Sequence, residues 1–503
     1  MQQSLKKRYS IKLLSSIING LFGAILVAIV PKALSPVAYG QFIYLQDFFI
    51  KVVGFLDMGT SIAFFTKLSA NNQRKELISF YFIYSFSILL LLFTFIFITN
   101  KLGYLDNLIP NISNQYIYFG LFFGFFTWFT QIFIKISDAY AITVSVELIK
   151  IIYKILSLMV LIYLIYQTEF NLTDYFIFHI VSLISFILFL SWLFIKRKIF
   201  ENLKFSIFNS QFLSIIKEFI EYCHPLVLYS IVSLLVGIFD IWLLQKYGGS
   251  KQTGFYGLAY GLSTICFLFT SAMTPIITRE FAKSYGEKDI ESMRGLFLRY
   301  IPMLYSISAY FAIFVAIQSE NILSIFTDEK FKEAYLVLMV MAFYPIHQTY
   351  GQLSGSIFYA TNQTRLMRNI SLVVQPFGML LTFLLIYKLD LGAIGLAWKM
   401  IIVQIIGVNI QLYYNTKFLK LKLNYFLWHQ LYSVALFIIL AVVSNMLIDI
   451  SSPILDFFIS GLLYTVWVII FIYILPQIFA TNRDEIKSIL IRFKSVIKRE
   501  IKK

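Results

Sequence analysis

The chain has 503 residues, 59% of them hydrophobic and 14% charged, with a formal net charge of +16. A soluble domain covers its surface with roughly a quarter charged residues, so a set of large water-facing cores is excluded. The positive balance is explained without nucleic acid, because lysine and arginine collect in the cytoplasmic loops of membrane proteins.

Apolar runs near twenty residues recur along the whole length, each enough for a helix to cross roughly 30 Å of hydrocarbon at about 1.5 Å per residue. The first, 11–33, follows Lys6, Lys7 and Arg8. It is longer than a secretory signal core and has no small-x-small cleavage site, so it reads as a retained span. The others are expected at 41–66, 78–99, 116–137, 147–168, 174–195, 222–246, 254–279, 299–319, 335–359, 369–388, 393–415, 429–449 and 454–476. These runs are apolar on both parities, which fits helices and not the alternating strands of a barrel. The expected fold class is therefore an all-α integral membrane protein of about fourteen transmembrane helices.

Loop charge sets the orientation. With the N-terminus inside, the inner segments hold 33 of the 42 lysines and arginines and the outer segments 7, with Lys51 and Lys399 left within spans. That bias predicts cytoplasmic N- and C-termini. Two inner stretches are amphipathic. In 210–222, Phe212, Ile215, Ile216 and Phe219 oppose Lys217, Glu218 and Glu221. In the basic tail, Ile486, Ile489, Leu490, Phe493 and Ile497 oppose Lys487, Arg492, Lys494 and Lys498, behind an Asn482/Glu485 capping pattern. Both suit helices lying on the inner leaflet; the alternative is solvated connectors.

An internal echo organises the spans. AYGQFIYL (Ala38–Leu45) opens the second span and TGFYGLAY (Thr253–Tyr260) the eighth, six spans later. Two six-helix lobes plus two extra helices account for it. The expected division is an N-terminal lobe 1–195, a cytoplasmic linker 196–221, a C-terminal lobe 222–415, a helix pair in 429–476 and a tail 477–503.

Catalytic parts are missing. No phosphate-loop pattern occurs, and His179, His224, His347 and His429 stand apart from one another in no metal-ligand spacing. Cys223 and Cys266 form neither a disulfide framework nor a metal cluster. No catalytic residue, metal site or cofactor is expected, and the outer loops are too short to hold a substrate for a polymerase or ligase. By elimination, transport is favoured.

The informative residues are charges inside spans, which insertion scales put at about 2.5–3.5 kcal/mol each at a helix centre. These are Lys51 and Asp57 in the second span, Lys135 and Lys154 toward the inner ends of the fourth and fifth, Asp240 in the seventh, Arg279 ending the eighth and Lys399 in the twelfth. Two readings stand for Lys51. Asp47 lies four residues before it and can pair with it on one helix face; alternatively Lys51, Lys399 and neighbouring cations line a wet central cavity that attracts an anionic, phosphate-bearing substrate. Asp57 and Asp240 are then charge partners or carriers of a coupling ion. Arg279 also fits an ordinary positive flank.

Taken in order, the motifs resemble a known family. ALSPVAYGQF followed by FLDMGTSIAF (Phe55–Phe64), with Asp57 and Gly59, is similar to the loop and second helix of the Wzx-type polysaccharide flippases of the MOP superfamily, which also holds lipid II flippases and MATE exporters. FDIWLLQKYGGSKQTGFYGLAYGL (Phe239–Leu262), with Asp240, MTPIITREFAKSYGEKD (Met273–Asp289), with Pro275 and Arg279, and LGAIGLAW (Leu391–Trp398) resemble its later segments. The resemblance covers about residues 10–415. It implies a MATE-like two-lobed fold working by alternating access in a bacterial plasma membrane. The implied substrate is an undecaprenyl-diphosphate-linked oligosaccharide for surface polysaccharide such as O-antigen, with membrane lipids and glycan-assembly proteins such as a polymerase as partners. The competing readings are a MATE-type small-molecule antiporter, for which a carboxylate-lined cavity is expected, and a membrane glycan polymerase or ligase.

Overall fold

The computed structural model describes residues 5–167, 169–201, 203, 210–361 and 363–485. Among them there is helix and no strand, the outcome required when lipid offers backbone groups no partners. By contact the chain divides into two units. The first is the chain up to Gly254 with Ile386–Gly392; the second is Phe255–Leu385 with the chain from Ala393.

Unit 1 contains α1 (Leu5–Ala33), α2 (Pro36–Asp57), α3 (Thr60–Ala70), α4 (Glu76–Lys101), the short α5 (Leu105–Leu108), α6 (Asn114–Ala139), α7 (Thr143–Gln167), α8 (Leu172–Lys196), α9 (Ser210–Leu243) and the start of α10 (Gly249–Thr264). The Ser35 side chain accepts from the Ala38 amide at 3.1 Å and Pro36 opens the first turn, so α2 starts sharply. It stops at Asp57 because Met58 (φ 45°) and Gly59 (φ 80°) are both left-handed, and α3 leaves at 57° to it. Small residues set the spacing to α6. A Cβ on Gly124 would lie 2.6 Å from that of Phe49, so α2 approaches α6 closer than any larger residue allows. Phenylalanines fill the interior beyond, with Phe125, Phe129, Phe133 and Phe194 buried together.

Unit 2 contains α11 (Leu268–Gly286), α12 (Ile290–Ile317), α13 (Ser319–Phe326), α14 (Tyr335–Met341), α15 (Tyr344–Ala360), α16 (Thr364–Thr382), α17 (Gly392–Phe418), α18 (Leu423–Leu447) and α19 (Pro453–Ile474). Hydroxyls at every fourth residue knit α11 to α15: Thr270 with Thr349 at 3.0 Å, Thr274 with Gln352 at 3.0 Å and Thr278 with Ser356 at 2.7 Å. Such side-chain bonds replace the hydrophobic drive that lipid removes. The last two helices are docked on α12: Tyr464 stacks on Tyr310 and Phe314, and Tyr310 bonds Thr465 at 2.6 Å.

Among the described residues ten helices are long and apolar enough to cross a membrane, eleven if the bent pair α2–α3 counts as one span. Each of the fourteen expected spans nevertheless falls on helix. Ser230–Gly286 is one helical run holding parts of two of them, broken by the left-handed Gly249 (φ 73°). The expected span 335–359 is split at Ala342–Phe343 into α14 and α15, and α1 covers the first. This is a multi-pass membrane protein.

The division of the chain at Gly254 puts α9 with unit 1; the expected organisation has a lobe 1–195, a linker 196–221 and a second lobe from 222. The amphipathic stretch 210–222 is the first part of α9, and its apolar face meets protein where lipid was expected. Ile215 and Phe219 are buried, and Phe80 touches the rings of both Phe212 and Phe219. Glu218, on the other face, holds Arg74 at 3.1 Å and Lys67 at 2.6 Å. In the tail, Asn482 accepts from the Glu485 amide at 2.8 Å, as a helix cap should; the expected amphipathic helix beyond it lies outside the described residues.

Candidate functional site

The two glycines of the echo lie against each other. A Cβ on Gly40 would fall 1.8 Å from the Ser250 carbonyl oxygen and 2.7 Å from the Gly254 nitrogen; one on Gly254 would fall 2.3 Å from the Pro36 oxygen. The first turns of α2 and α10 thus cross backbone on backbone, both within unit 1. The fully buried Gln245 secures that end of the unit. It donates to the Pro110 carbonyl at 3.2 Å and to Ser250 at 2.8 Å, and accepts from Thr253 at 2.9 Å.

About three turns further along α2, Lys51 donates to Asp47 at 2.5 Å and to the Gly237 carbonyl at 2.5 Å on α9. The i,i+4 pair is therefore formed, and the lysine stem packs along Gly237, where an ideal Cβ would lie 3.4 Å from Lys51 Cδ. Asp240, one turn from Gly237, is within electrostatic range of Asp47. About a third of the Lys51 side chain stays exposed, so the cation is paired without being sealed.

At the break in α2–α3, Asp57 accepts from the Ser61 amide and hydroxyl, at 3.0 and 2.7 Å, from the Thr60 hydroxyl at 3.0 Å and from the Tyr81 phenol at 2.8 Å. Lys135 on α6 donates to the Ser61 hydroxyl. Asp57 and Lys135, two of the expected residues, thus belong to one network at the start of α3. Its carboxylate satisfies an amide there and favours the positive end of the helix.

Lys154 is on α7 in the field of Lys150 and Glu147. Glu147 is 3% exposed, accepts from Ser15 on α1 at 2.5 Å and pairs with Lys150 at 3.6 Å. In unit 2, Lys399 is 6% exposed on α17 and lies against Gly378 of α16, whose ideal Cβ would be 3.2 Å from the lysine Cε. Arg279 is exposed on α11, about two turns before its end at Gly286. Three of the four histidines sit among aromatics: Phe42 stacks on His179 at 5.4 Å, and Tyr305 lies 5.9 Å from both His347 and His429.

Within unit 1 the structure thus joins Asp47, Lys51 and Asp240 in one group and Asp57 and Lys135 in a second, with Lys154 beside Lys150 and Glu147 on α7; Lys399 and Arg279 belong to unit 2. Sequence reasoning missed Glu147, although Glu147, Lys150 and Lys154 fall at spacings of three and four on one helix face. It also missed Gly237 and Gly378, which carry no local signal: a glycine is read as a seat only when its neighbour is known.

A family model described as MatE matches residues 225–384. The "probable low-salt glycan biosynthesis flippase Agl15" of Haloferax volcanii is 25% identical over 203 residues, covering 39% of this chain and 42% of that protein, so the match spans about two-fifths of the relative's length. Among solved structures, the inward closed conformation of the lipid II flippase MurJ superposes with a TM-score of 0.68 at 16% identity, covering 93% of this chain and 99% of that one. The chain shares the fold of these membrane transporters. The inward-facing form of a multidrug resistance MATE transporter of the MOP superfamily gives 0.57 at 16% identity, covering 81% and 95%. The MOP fold therefore runs through nearly the whole chain, including segments outside the MatE match.

Proposed function

We propose that this chain is a flippase that moves a polyprenyl-diphosphate-linked oligosaccharide from the inner to the outer leaflet by alternating access, for surface polysaccharide assembly. The observation that supports this reading best is the pair of intramembrane lysines, Lys51 in unit 1 and Lys399 in unit 2, each packed along a glycine of a neighbouring helix. Two cations retained in spans at the expense of insertion suit a substrate that carries two phosphates, since lysine is a point-charge donor to phosphate. The names of the Haloferax relative and of the lipid II flippase lend support to a lipid-linked glycan. The polyprenyl tail stays in lipid while the headgroup crosses, which fits transport over catalysis.

Lys51→Ala with Lys399→Ala is expected to lower surface glycan about tenfold at unchanged protein level, with lipid-linked oligosaccharide accumulating on the cytoplasmic side. Normal glycan in that double variant sinks the assignment of the lysines to substrate. Because Lys51 is paired, Asp47→Asn combined with Lys51→Met separates the roles. A purely structural pair is replaced neutrally and glycan is kept; a substrate cation is not replaced.

The MatE match favours a second reading, a small-molecule antiporter. A deletion strain hypersusceptible to cationic drugs, with intact glycan, selects that reading over the first.

A further inference from the structure

The described chain has two π-helical segments, Leu244–Gly248 and Phe383–Lys388. Each adds a residue to the turn, a distortion found mostly at functional sites. They meet: Tyr247 and Tyr387 touch edge-on with centroids 4.8 Å apart, both within unit 1. Each segment also carries a lysine laid over aromatic rings. Lys246 Nζ is 4.6 Å from the Trp242 ring centroid and 5.7 Å from that of Tyr247, and Lys388 Nζ is 5.4 Å from that of Tyr387.

We propose that Lys246, Lys388, Tyr247 and Tyr387 form a binding site for the phosphate-bearing headgroup of a membrane lipid, at the end of unit 1 that the lysine count assigns to the outside. Three observations support it. First, neither lysine has an ion-pair partner among the described residues, and Asp390, two residues from Lys388, makes no pair with it. Ring faces hold the two ammonium groups without neutralising them, so both keep their charge for an anion. Second, Tyr247 and Tyr387 are 45% and 43% exposed, offering flat surface to a sugar or glycerol beside the phosphate. Third, the base is rigid. The buried Gln245 precedes Lys246 and is held by three hydrogen bonds. A fixed site loses little freedom on binding.

Ordinary interfacial anchoring also uses tyrosine and lysine, but it needs neither convergence of two π-helical turns nor lysines folded back onto rings. Two sources share the required chemistry: an anionic phospholipid, and the carrier diphosphate released on that side. The inference rests on the membrane assignment; only the second source depends on the flippase reading.

The experiment is lipid retention by the purified full chain in native mass spectrometry, with phosphatidylglycerol, undecaprenyl diphosphate and, as a zwitterionic control, phosphatidylcholine. Lys246→Gln with Lys388→Gln is expected to weaken retention of at least one of the two anionic lipids about tenfold, and whichever is lost identifies the source. Lys330→Gln with Lys332→Gln removes the same charge from exposed lysines elsewhere and is expected to change neither. Unchanged retention in the first variant, or an equal loss in the second, overturns the site. Tyr247→Leu with Tyr387→Leu is expected to weaken the same lipid; no change there overturns the aromatic half. Because binding is read directly, this test can fail while Lys51 and Lys399 remain essential for glycan, and the reverse.

Discussion

The two units treat polar residues in their spans differently. Unit 1 holds charges in compensated groups: Asp47 with Lys51, Glu147 with Lys150, and Asp57 in a shell of hydroxyls that Lys135 joins. Unit 2 uses mostly neutral groups, in the threonine seam of α11 and α15 and in the contact of Gln404 with Gln348. Lys399 and Asp456 are the buried charges described there, and two amide side chains, Asn321 and Gln318, meet Asp456. The glycines differ in the same sense. In unit 1 Gly40, Gly254 and Gly124 face backbone or Cβ atoms, although Gly237 and Gly392 of that unit face the ends of Lys51 and Gln252; in unit 2 Gly378, Gly351 and Gly461 face the ends of Lys399, Gln404 and Phe314. Unit 1 is fixed by close crossings and balanced charge, and unit 2 by contacts whose outer atoms can give.

That contrast breaks first at the echo glycines. Gly40→Ala places a methyl 1.8 Å from the Ser250 oxygen, and no rotamer relieves a clash with backbone. The helices must part, which is expected to destabilise by at least about 3 kcal/mol and to remove folded protein from detergent-solubilised membranes. Gly23→Ala, where a Cβ meets nothing within 4 Å, is the matched control. Equal solubility and melting of the two variants would dissolve the distinction between the units.

The next effect concerns Asp57. As the acceptor for two hydroxyls, a phenol and an amide, it fixes the 57° bend. Asp57→Ala strands these donors at about 1–3 kcal/mol each when they stay buried, so a clearly lower melting temperature is expected, with Asp57→Asn intermediate. A carboxylate serving only a coupling ion predicts the opposite: unchanged melting with altered ion dependence of transport.

Much of this was legible in the sequence for physical reasons. Span length and apolarity are properties of continuous segments, so helix and its positions could be read directly. The Asp47–Lys51 pair was visible because both residues share one helix and one face. The Gly40–Gly254 contact was half visible: the echo marked both glycines as equivalent, but nothing in one dimension says that equivalent turns touch. Residues 210–222 misled because an amphipathic face has the same pattern whether lipid or Phe80 covers it. Glu218, opposite, carried no mark of its partners 144 and 151 residues away. The Lys399 seat was invisible for the same reason, since Gly378 is twenty-one residues away in another helix.

Smaller effects sharpen the comparison from the side of unit 2. Gly378→Ala brings a methyl 3.2 Å from Lys399 Cε, a contact the flexible stem can relieve. The expected loss of stability is about 1 kcal/mol, much less than for Gly40→Ala, together with reduced glycan if the ammonium must stay in place. A melting loss as large as that of Gly40→Ala would mean that unit 2 yields no more than unit 1.

The smallest effect is a pH dependence at the start of α9. Hydrogen bonds first from Arg74 and then from Lys67 hold the Glu218 carboxyl below its ordinary value of 4.5. A carboxyl depressed in the folded state contributes stability that is fully present above about pH 4.5 and is lost as the pH falls through the lowered value. The groups are partly exposed, with a third of the Glu218 side chain open, so solvent screening keeps the contribution under about 1 kcal/mol. Glu218→Gln should therefore lower the melting temperature slightly at pH 7 and leave a flatter acid limb than the parent between pH 5 and about 3. An unchanged acid limb would show that the start of α9 is held by Phe212, Ile215 and Phe219 alone, with Glu218 adding nothing to the docking that their burial provides.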